Sequence, residues 1–224
     1  NPGSPDAPVA SIAKAIELAQ AGTGQVIIKE GTYSENNITI NSEIPLSIAG
    51  EGNVVIDGTD LNAASVFIIK TSQAISIANI TFANNKARYG GAINAVGSRS
   101  ALMEVDISID NCTFDNLKGT SSSRGGAIYG EYLDGNIVIN NSVFTNCNST
   151  GWGGAVAITY SAYEDGLDLV INNTSFDNNR GNNGGAGYLM ANTITIENSN
   201  FTQNSAIYYP GALELYNCTA TIDN

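Results

Sequence analysis

Hydrophobic and polar residues alternate in five short stretches of the chain, each containing an asparagine that is followed three residues later by a phenylalanine. The stretches are ISIANITF, ISIDNCTF, IVINNSVF, LVINNTSF and ITIENSNF, and they end at Phe82, Phe114, Phe144, Phe176 and Phe201. Such alternation predicts β-strands with one buried face. The phenylalanines lie 32, 30, 32 and 25 residues apart, a spacing that is typical of the repeating unit of a solenoid.

A pair of glycines follows most of these phenylalanines and precedes an alanine. The motif is YGGAIN, RGGAIY, WGGAVA and NGGAGY in four repeats, and Pro210-Gly211-Ala212 takes its place in the fifth. Glycine serves both at tight backbone corners and in loops that cradle a ligand. Because the pair recurs at the same place in successive repeats, we interpret it as a corner that returns the chain to the interior.

Stacking of the repeats as turns of a parallel β-helix explains both motifs. Equivalent residues of successive turns then lie about 4.8 Å apart and form columns along the axis. The phenylalanines are predicted to form an inner aromatic column, and the preceding asparagines a hydrogen-bonded ladder at a bend. The ladder residues are Asn79, Asn111, Asn141, Asn173 and Asn198. The predicted fold class is therefore all-β, a parallel β-helix.

The first part of the chain carries a helical pattern instead. In VASIAKAIELAQAG, the apolar residues on one helical face are Val9, Ile12, Ala13, Ile16 and Ala19. A solenoid exposes an apolar end at its first coil, so we interpret residues 8–22 as a capping helix. Residues 23–74 are then the first coils, and 75–224 the repeats, of a single domain, 8–224. The final ATIDN begins another strand, from which we expect the natural chain to continue within a repeat.

Charge and composition narrow the possible partners. The chain has 224 residues, a net charge of −12, nine basic residues and no histidine. Nucleic acids and anionic membranes are bound through clustered lysine and arginine, so we expect neither as a partner. No stretch reaches the roughly 18 apolar residues of a membrane span, and no membrane insertion is expected. Cys112, Cys147 and Cys218 lack histidine partners, and we interpret them as small buried or turn-side residues.

Acidic residues are the candidates for chemistry. The outward position before each ladder asparagine, and before Asn224, is occupied by Ala78, Asp110, Asn140, Asn172, Glu197 and Asp223. Glu197 and Asp223 would be neighbours at about 5 Å, the spacing of a retaining glycosidase pair. Two loops supply possible calcium ligands, namely Asp134, Glu164, Asp165 and Asp168. Solvated surface carboxylates explain both sets more simply, so we expect no catalytic residue, no metal and no cofactor.

The stronger binding hypothesis concerns the two residues before each glycine corner. Stacked turns would align these residues as one stripe that is rich in aromatic and cationic side chains. The candidate ligand-binding residues are Arg88, Tyr89, Arg124, Trp152, Tyr208 and Tyr209. Aromatic rings with arginine and asparagine nearby are typical of surfaces that bind sugar rings or protein hot spots. The alternative is that the rings merely cover the turn below them.

The paired motifs FxxN and GGA resemble the repeats of chlamydial polymorphic outer-membrane proteins. The asparagine-rich strands with NCTF are still more similar to adhesin-like surface proteins of methanogenic archaea. The segment SIAKAIELAQAGTGQVIIKEGTYSENNITI also resembles the opening coil of many such β-helices. The pattern FxxN is complete at Phe82, Phe176 and Phe201, whereas Leu117 and Cys147 replace its asparagine in the other two repeats.

The resemblance implies a right-handed parallel β-helix of the pectin-lyase-like kind, displayed on the cell surface for attachment. We accordingly expect an extracellular, non-enzymatic and monomeric adhesin domain whose partner is a glycan or protein on the surface of another cell. Two alternatives stay open: a polysaccharide lyase or hydrolase, since pectin-lyase-like helices often carry such enzymes, and a passive structural stalk. An adhesin binds without turnover, an enzyme shows turnover, and a stalk does neither.

Overall fold

Parallel strands wind into a β-helix with one short helix near the N-terminus. The computed structural model describes residues 3–4, 7–160, 166–209 and 211–223. The elements are α1 (Ile12–Gln20), β1 (Gln25–Tyr33), β2 (Ile38–Ile40), β3 (Leu46–Asp57), β4 (Phe67–Ile69), β5 (Ile75–Ala78), β6 (Thr81–Ala83), β7 (Lys86–Tyr89), β8 (Ile93–Val96), β9 (Met103–Asp110), β10 (Thr113–Asp115), β11 (Lys118–Arg124), β12 (Ile128–Glu131), β13 (Leu133–Asn140), β14 (Val143–Thr145), β15 (Val156–Thr159), β16 (Asp168–Asn172), β17 (Ser175–Asp177), β18 (Arg180–Gly181), β19 (Gly187–Leu189), β20 (Thr193–Glu197), β21 (Asn200–Thr202), β22 (Ser205–Ala206), β23 (Leu213–Leu215) and β24 (Thr219–Asp223). The predicted fold class is thereby confirmed.

The described strands form three parallel sheets along the axis of the solenoid, of which the first two are continuous through β3, and β1 also pairs in parallel with β3. The first contains the alternating isoleucine strands in the order β3-β5-β9-β13-β16-β20-β24, and the second contains the phenylalanine strands in the order β3-β6-β10-β14-β17-β21. The third sheet follows the glycine corners in the order β2-β4-β8-β12-β15-β19-β23. The long strand β3 belongs to the first two sheets because its two halves pair with β5 and β6. Short strands β7, β11, β18 and β22 form the corner between the second and third sheets.

The repeat phenylalanines form the predicted column inside the solenoid. Their ring centroids are 5.2, 4.4, 4.7 and 4.8 Å apart in chain order, and neighbouring rings are within 9° of parallel. The first four rings of the column are at most 1% exposed. Phe67 closes the N-terminal end of the column, edge-on to Phe82 at 5.7 Å. Each stacked pair contributes about 0.5–1.5 kcal/mol beyond the burial of its apolar surface.

Asparagines occupy two left-handed bends in the repeats. The five predicted ladder asparagines have φ between 47° and 58°. A second column, which the sequence analysis missed, lies two residues after each phenylalanine, with φ between 52° and 56°. It consists of Asn84, Asn116, Asn146, Asn178 and Gln203. Asparagine is favoured at these bends because it tolerates the left-handed conformation better than most residues with a Cβ.

Side-chain hydrogen bonds link the asparagine columns from turn to turn, although the first ladder is less regular than predicted. The direct amide links in that ladder are Asn111 to Asn79, at 2.8 Å, and Asn173 to Asn141, at 2.7 Å. Asn141 instead donates to the carboxylate of Asp110 at 2.7 Å, and Asn146 of the second column donates to Asp115 at 3.1 Å. An ionised carboxylate accepts more strongly than an amide oxygen. Where an aspartate precedes the bend, the asparagine of the next turn therefore donates to its carboxylate and not to the asparagine at the bend.

The third residue after each phenylalanine points into the core, which explains why asparagine, leucine and cysteine share this position. Leu117, Cys147 and Asn179 are all fully buried. Asn179 accepts the backbone N–H of Cys147 at 2.9 Å and donates to the backbone carbonyl of Phe144 at 3.0 Å. The FxxN pattern is thus a core motif in which the asparagine satisfies backbone groups at the edge of the second sheet.

Helix α1 lies at the N-terminal end of the solenoid and is shorter than the predicted segment 8–22. Ser11 caps the helix, because its hydroxyl accepts the Lys14 backbone N–H at 3.2 Å. The Glu35 carboxylate accepts the two N–H groups before it, those of Ile12 and Ala13, at 2.8 and 3.0 Å. These bonds fix the first turn of the helix and leave residues 8–10 outside it.

Three residues of α1 are buried against the first coil, namely Ile12, Ile16 and Ala19, and the partly buried Ala15 also packs there. The predicted apolar face is wrong at two positions, since Ala13 faces solvent and Val9 precedes the helix. The small side chain of Ala13 makes its exposure inexpensive, so hydrophobic periodicity alone could not decide its direction. Within the described part of the chain, no helix has the length and apolar character needed to cross a membrane.

Candidate binding surface

The glycine pair forms the predicted corner between the second and third sheets. The first glycine of each pair has a left-handed backbone, with φ of 50° at Gly90, 59° at Gly125, 58° at Gly153 and 63° at Gly184. A Cβ on Gly125 would lie 2.0 Å from the carbonyl oxygen of Ile128, and one on Gly126 would lie 2.2 Å from that of Gly154 in the next turn. Both positions therefore require glycine for structural reasons.

The residues just before these corners are aligned from turn to turn, as predicted. Arg124 is in register with Tyr89 on one side and with Trp152 on the other, and Trp152 is in register with Asn183. The guanidinium carbon of Arg88 lies 5.1 Å from the ring centroid of its neighbour Tyr89. The structure thus brings four of the six candidate residues together on one corner.

Two tyrosines that the sequence analysis missed join these residues from the third sheet. Tyr129 stacks on Tyr89 and Tyr188 stacks on Trp152, each with a centroid distance of 5.0 Å. Each tyrosine stands two residues after the alanine of a glycine corner, in GGAIY and GGAGY. Their outward direction could have been inferred from the alternation that follows the corner. We define the aromatic stripe as Arg88, Tyr89, Arg124, Tyr129, Trp152 and Tyr188.

Arg124 links the parts of the aromatic stripe. Its guanidinium carbon lies 4.2 Å from the Trp152 ring centroid, and its Nη1 lies 3.0 Å from the Tyr129 hydroxyl and 3.4 Å from the Glu131 carboxylate. Tyr129 is 1% exposed, and its hydroxyl also lies 3.3 Å from that of Thr159. Burial raises the pKa of Tyr129, so its hydroxyl stays neutral and holds the arginine in place.

The rings of the stripe stack along the solenoid axis, which determines what they offer to a ligand. Trp152 has Arg124 of the preceding turn over one face and Tyr188 of the following turn against the other. With both faces covered, the ring presents its edge to solvent. The edge of an aromatic ring is the positive part of its quadrupole. The stripe therefore offers positive ring edges beside two guanidinium groups, in place of the open faces expected for stacking on sugars.

The remaining candidates, Tyr208 and Tyr209, lie outside the stripe. They are 71% and 58% exposed, and neither ring stacks on another in the described residues. Tyr132 and Tyr160 border the stripe instead, stacked at 5.5 Å, with Tyr160 6.3 Å from Trp152. The corner motif alone could not indicate these two residues, because they follow the third-sheet strands.

The outward carboxylate column runs along the first sheet in the predicted register. Glu197 lies between Asn172 and Asp223, and neither acid forms an ion pair in the described residues. A groove of about 560 Å³ lies on the same face, but it is formed by earlier turns. Its polar side chains include Ser47, Ser76, Ser108 and Asp106. The acid pair and the groove thus lie on different turns and do not form one site.

The predicted calcium ligands do not converge in the part of the chain that the structure describes. Glu164 and Asp165 lie outside the described residues. Asp168 is in register with Asn136 rather than with Asp134. Nowhere in the described ranges are three or more acidic or cysteine side chains grouped so that they could hold a metal.

The cysteines are free, and two of them belong to the core. Cys112 and Cys147 are 1% and 0% exposed, while Cys218 is partly exposed. Burial raises the pKa of Cys112 to about 11 and that of Cys147 to about 12. Because the thiolate is the reactive form, these neutral thiols act as small apolar residues, in agreement with the prediction.

Comparisons with known proteins indicate one class of relative. No known protein family matches the chain, and no solved structure matches it. The chain is similar to a protein of Escherichia coli strain K12 that is described as the probable autotransporter YfaL. The two are 28% identical over 201 residues, which are 89% of this chain and 14% of that protein. This match fits a β-helical surface protein, whereas the resemblance to archaeal and chlamydial proteins stays a prediction.

Proposed function

We propose that the chain is part of a cell-surface or secreted protein and attaches the cell to a partner surface through the aromatic stripe. The partner is a glycan or a protein on another cell, and no reaction is catalysed. The observation that carries the proposal is the gathering of large aromatic and cationic side chains from four successive turns on one outer corner. Such side chains dominate the binding energy of many recognition surfaces.

The fold does not require a large side chain at every step of these columns. Asn94 and Ala157 occupy the column of Tyr129 in the two neighbouring turns, and Asn183 follows Trp152 in its column. Small residues are therefore compatible with the same backbone, and the inner phenylalanine column already packs the turns together. This supports a role for the stripe in binding rather than in folding.

The similarity to a probable autotransporter supports a place outside the cell, either on its surface or in a secreted segment. A rigid solenoid suits such a place, because its repeats hold a long row of side chains in fixed register. The chain matches only 14% of the relative's length, so the similarity supports a location for this chain and says nothing of the activity of the whole relative.

Binding and turnover are best measured in the same samples. The protein is passed over immobilised polysaccharides and over whole cells, while released reducing ends and unsaturated sugars are recorded. Retention without product release is the expected result. Product release would overturn the non-enzymatic proposal in favour of a lyase or hydrolase. Failure to be retained by any polymer or cell would indicate a passive stalk.

Variants at Trp152 test the stripe itself. Trp152→Ala removes the ring between Arg124 and Tyr188, and we expect it to weaken retention about tenfold or more. Trp152→Phe keeps a ring in the stack and is expected to retain most of the binding. Val143→Ala, an exposed apolar position on the second sheet, is the matched control. Unchanged retention by folded Trp152→Ala would contradict the proposed surface.

A further inference from the structure

The segments that form one corner of the solenoid contain no acidic residue in five successive turns. Its segments run from the inward residue of each FxxN position to the residue before the next corner, and they are 85–89, 117–124, 147–152, 179–183 and 204–209. They contain five of the nine basic residues of the chain and none of its 21 acidic residues. The basic residues are dispersed in the sequence, but the winding of the chain gathers these five into a positive strip on an acidic protein.

Three of these cations directly follow the inward residue of their FxxN position, and we define them as the basic ridge: Lys86, Lys118 and Arg180. Lys86 and Lys118 are in register on adjacent strands, and Arg180 follows two steps further on, after Asn148. The three side chains are exposed and form no ion pair among the described residues. Like charges opposite each other on neighbouring strands, about 5 Å apart, are destabilising. Lys86 and Lys118 therefore lower stability by their repulsion, and no ion pair among the described residues offsets it.

A cleft between two of these cations adds hydrogen-bond donors. It has a volume of about 440 Å³ and lies around Asn148, between Lys118 and Arg180. The amide side chains of Asn146 and Asn178 complete its polar lining; Asn178 donates one N–H to Asn146 at 2.8 Å and Asn146 donates one to Asp115, so each amide offers its second N–H to a ligand. The nearest aspartates in sequence precede the asparagine bends, where Asp115 accepts from Asn146 and Asp177 accepts from Thr202. Cations and amide donors in a partly enclosed space favour an anionic group.

We propose that the basic ridge binds an anionic polysaccharide, whose carboxylate or sulfate groups contact Lys86, Lys118 and Arg180. This inference rests on the attachment function proposed above and specifies the chemistry of the ligand. Arg88 and Arg124 belong to the same positive strip, and the positive ring edges of the aromatic stripe lie against them. The negative charge of the remaining surface repels polyanions elsewhere, so the ligand is directed to this corner.

In the turns of the basic ridge, the geometry of the aromatic stripe favours a polysaccharide over a nucleic acid, and the unstacked Tyr208 and Tyr209 lie one turn beyond Arg180. Single-stranded nucleic acids bind through bases that stack on open aromatic faces. The faces of Trp152 are occupied by Arg124 and Tyr188, so this kind of stacking is blocked there. A single row of cations suits one linear chain of anionic groups that lies along the solenoid axis.

The test measures binding of the whole chain to four immobilised polymers at several salt concentrations. Heparin presents sulfates, polygalacturonate presents carboxylates without sulfates, dextran is neutral, and single-stranded DNA presents phosphates with bases. We expect binding to heparin or polygalacturonate at about 50 mM NaCl that weakens steadily as salt rises, because counterions compete with the polymer. Which of the two binds more tightly identifies sulfate or carboxylate as the preferred group.

The double variant Lys118→Gln/Arg180→Gln is expected to bind the preferred anionic polymer at least about tenfold more weakly. Lys70→Gln is the matched control, because Lys70 is also exposed and unpaired in the described residues but lies on another turn, at the end of β4. Equal binding by the double variant and the unmodified protein would overturn the proposal, as would equal affinity for single-stranded DNA.

The two proposals fail in different ways. If the protein binds cells or neutral glycans through Trp152 and ignores every anionic polymer, attachment stands and the anionic ligand is wrong. If it binds neither polymers nor cells, both proposals are wrong. Binding that depends on Lys118 and Arg180 but not on Trp152 supports the basic ridge and removes the aromatic stripe from the attachment site.

Discussion

At the scale of single residues, left-handed backbone positions define the turns of this solenoid. A full repeat has two bends with asparagine, or glutamine in one case, and a third with glycine. The glycine corner could be predicted because the pair recurs before alanine. The second asparagine column could not be predicted, because the next residue, the buried position of FxxN, is often asparagine as well, although for a different reason. An asparagine needed for its conformation and one needed for its buried amide look alike in a sequence.

Replacing the first glycine of a corner tests this requirement. Gly125→Ala places a side chain at a φ of 59° and 2.0 Å from the Ile128 carbonyl oxygen. We expect the free energy of unfolding to fall by about 1–3 kcal/mol, as measured by urea denaturation. Gly22→Ala, whose φ is outside the left-handed region, is the control and should change stability by less than about 1 kcal/mol. Equal effects at the two sites would contradict the corner geometry.

The buried cysteines make the free energy of unfolding depend on pH in the alkaline range. The pKa of Cys112 rises from 9.0 to about 11 on folding because burial disfavours the thiolate. Its contribution is therefore fully present below pH 9 and is lost as the pH rises through 11, where both states are deprotonated. Cys147 acts in the same direction. Urea unfolding across this range should show a steeper loss for the unmodified protein than for Cys112→Ala/Cys147→Ala, and identical slopes would contradict the assignment.

At the scale of elements, the inner aromatic column is the clearest case in which spacing predicts contact. Phenylalanines 25 to 32 residues apart in sequence become stacked neighbours. We expect Phe144→Ala, in the middle of the column, to lower the free energy of unfolding by about 3–5 kcal/mol, because it leaves a cavity between two rings. Phe201→Ala, at the partly exposed end, should cost less. Equal losses in chemical denaturation would argue against the column.

The helix contributes to stability as a cover for the first coil. Ile16 is 1% exposed, whereas Ala13 of the same helix faces solvent. Ile16→Ser is expected to destabilise the protein by about 2–5 kcal/mol and to promote self-association through the uncovered end. Ala13→Ser should leave both properties nearly unchanged. Thermal unfolding and sedimentation velocity would measure them, and similar behaviour of the two variants would refute the role as a cover.

At the scale of the whole molecule, the sequence predicts which residues align but not which surfaces result. The order Tyr89, Arg124, Trp152 followed from the motif. The ring faces are covered in addition by tyrosines of β12 and β19, which the motif did not indicate. The basic ridge was hidden for a similar reason. Lys86, Lys118 and Arg180 are separated by many acidic residues in sequence, and their proximity depends on the exact length of each turn.

Local stability should vary along the solenoid. In this 224-residue chain, turns in the middle have neighbours on both sides, whereas β24 pairs with β20 alone in the described residues and all of its residues are exposed. Hydrogen exchange followed by mass spectrometry should therefore show the slowest amides in β13 and β16 and much faster exchange in β24. Uniform protection along the chain would contradict this gradient.

The in-register columns also determine how such a surface can change during evolution. Unequal recombination between two repeats would insert or delete about 30 residues, the length of one full turn, and all other columns would close up unchanged. The proposed attachment surface would grow or shrink by one step of about 4.8 Å, with each added cation or ring contributing to avidity. If the proposed attachment function holds, genetic variation in repeat number tunes binding strength in discrete steps, without any new side-chain chemistry.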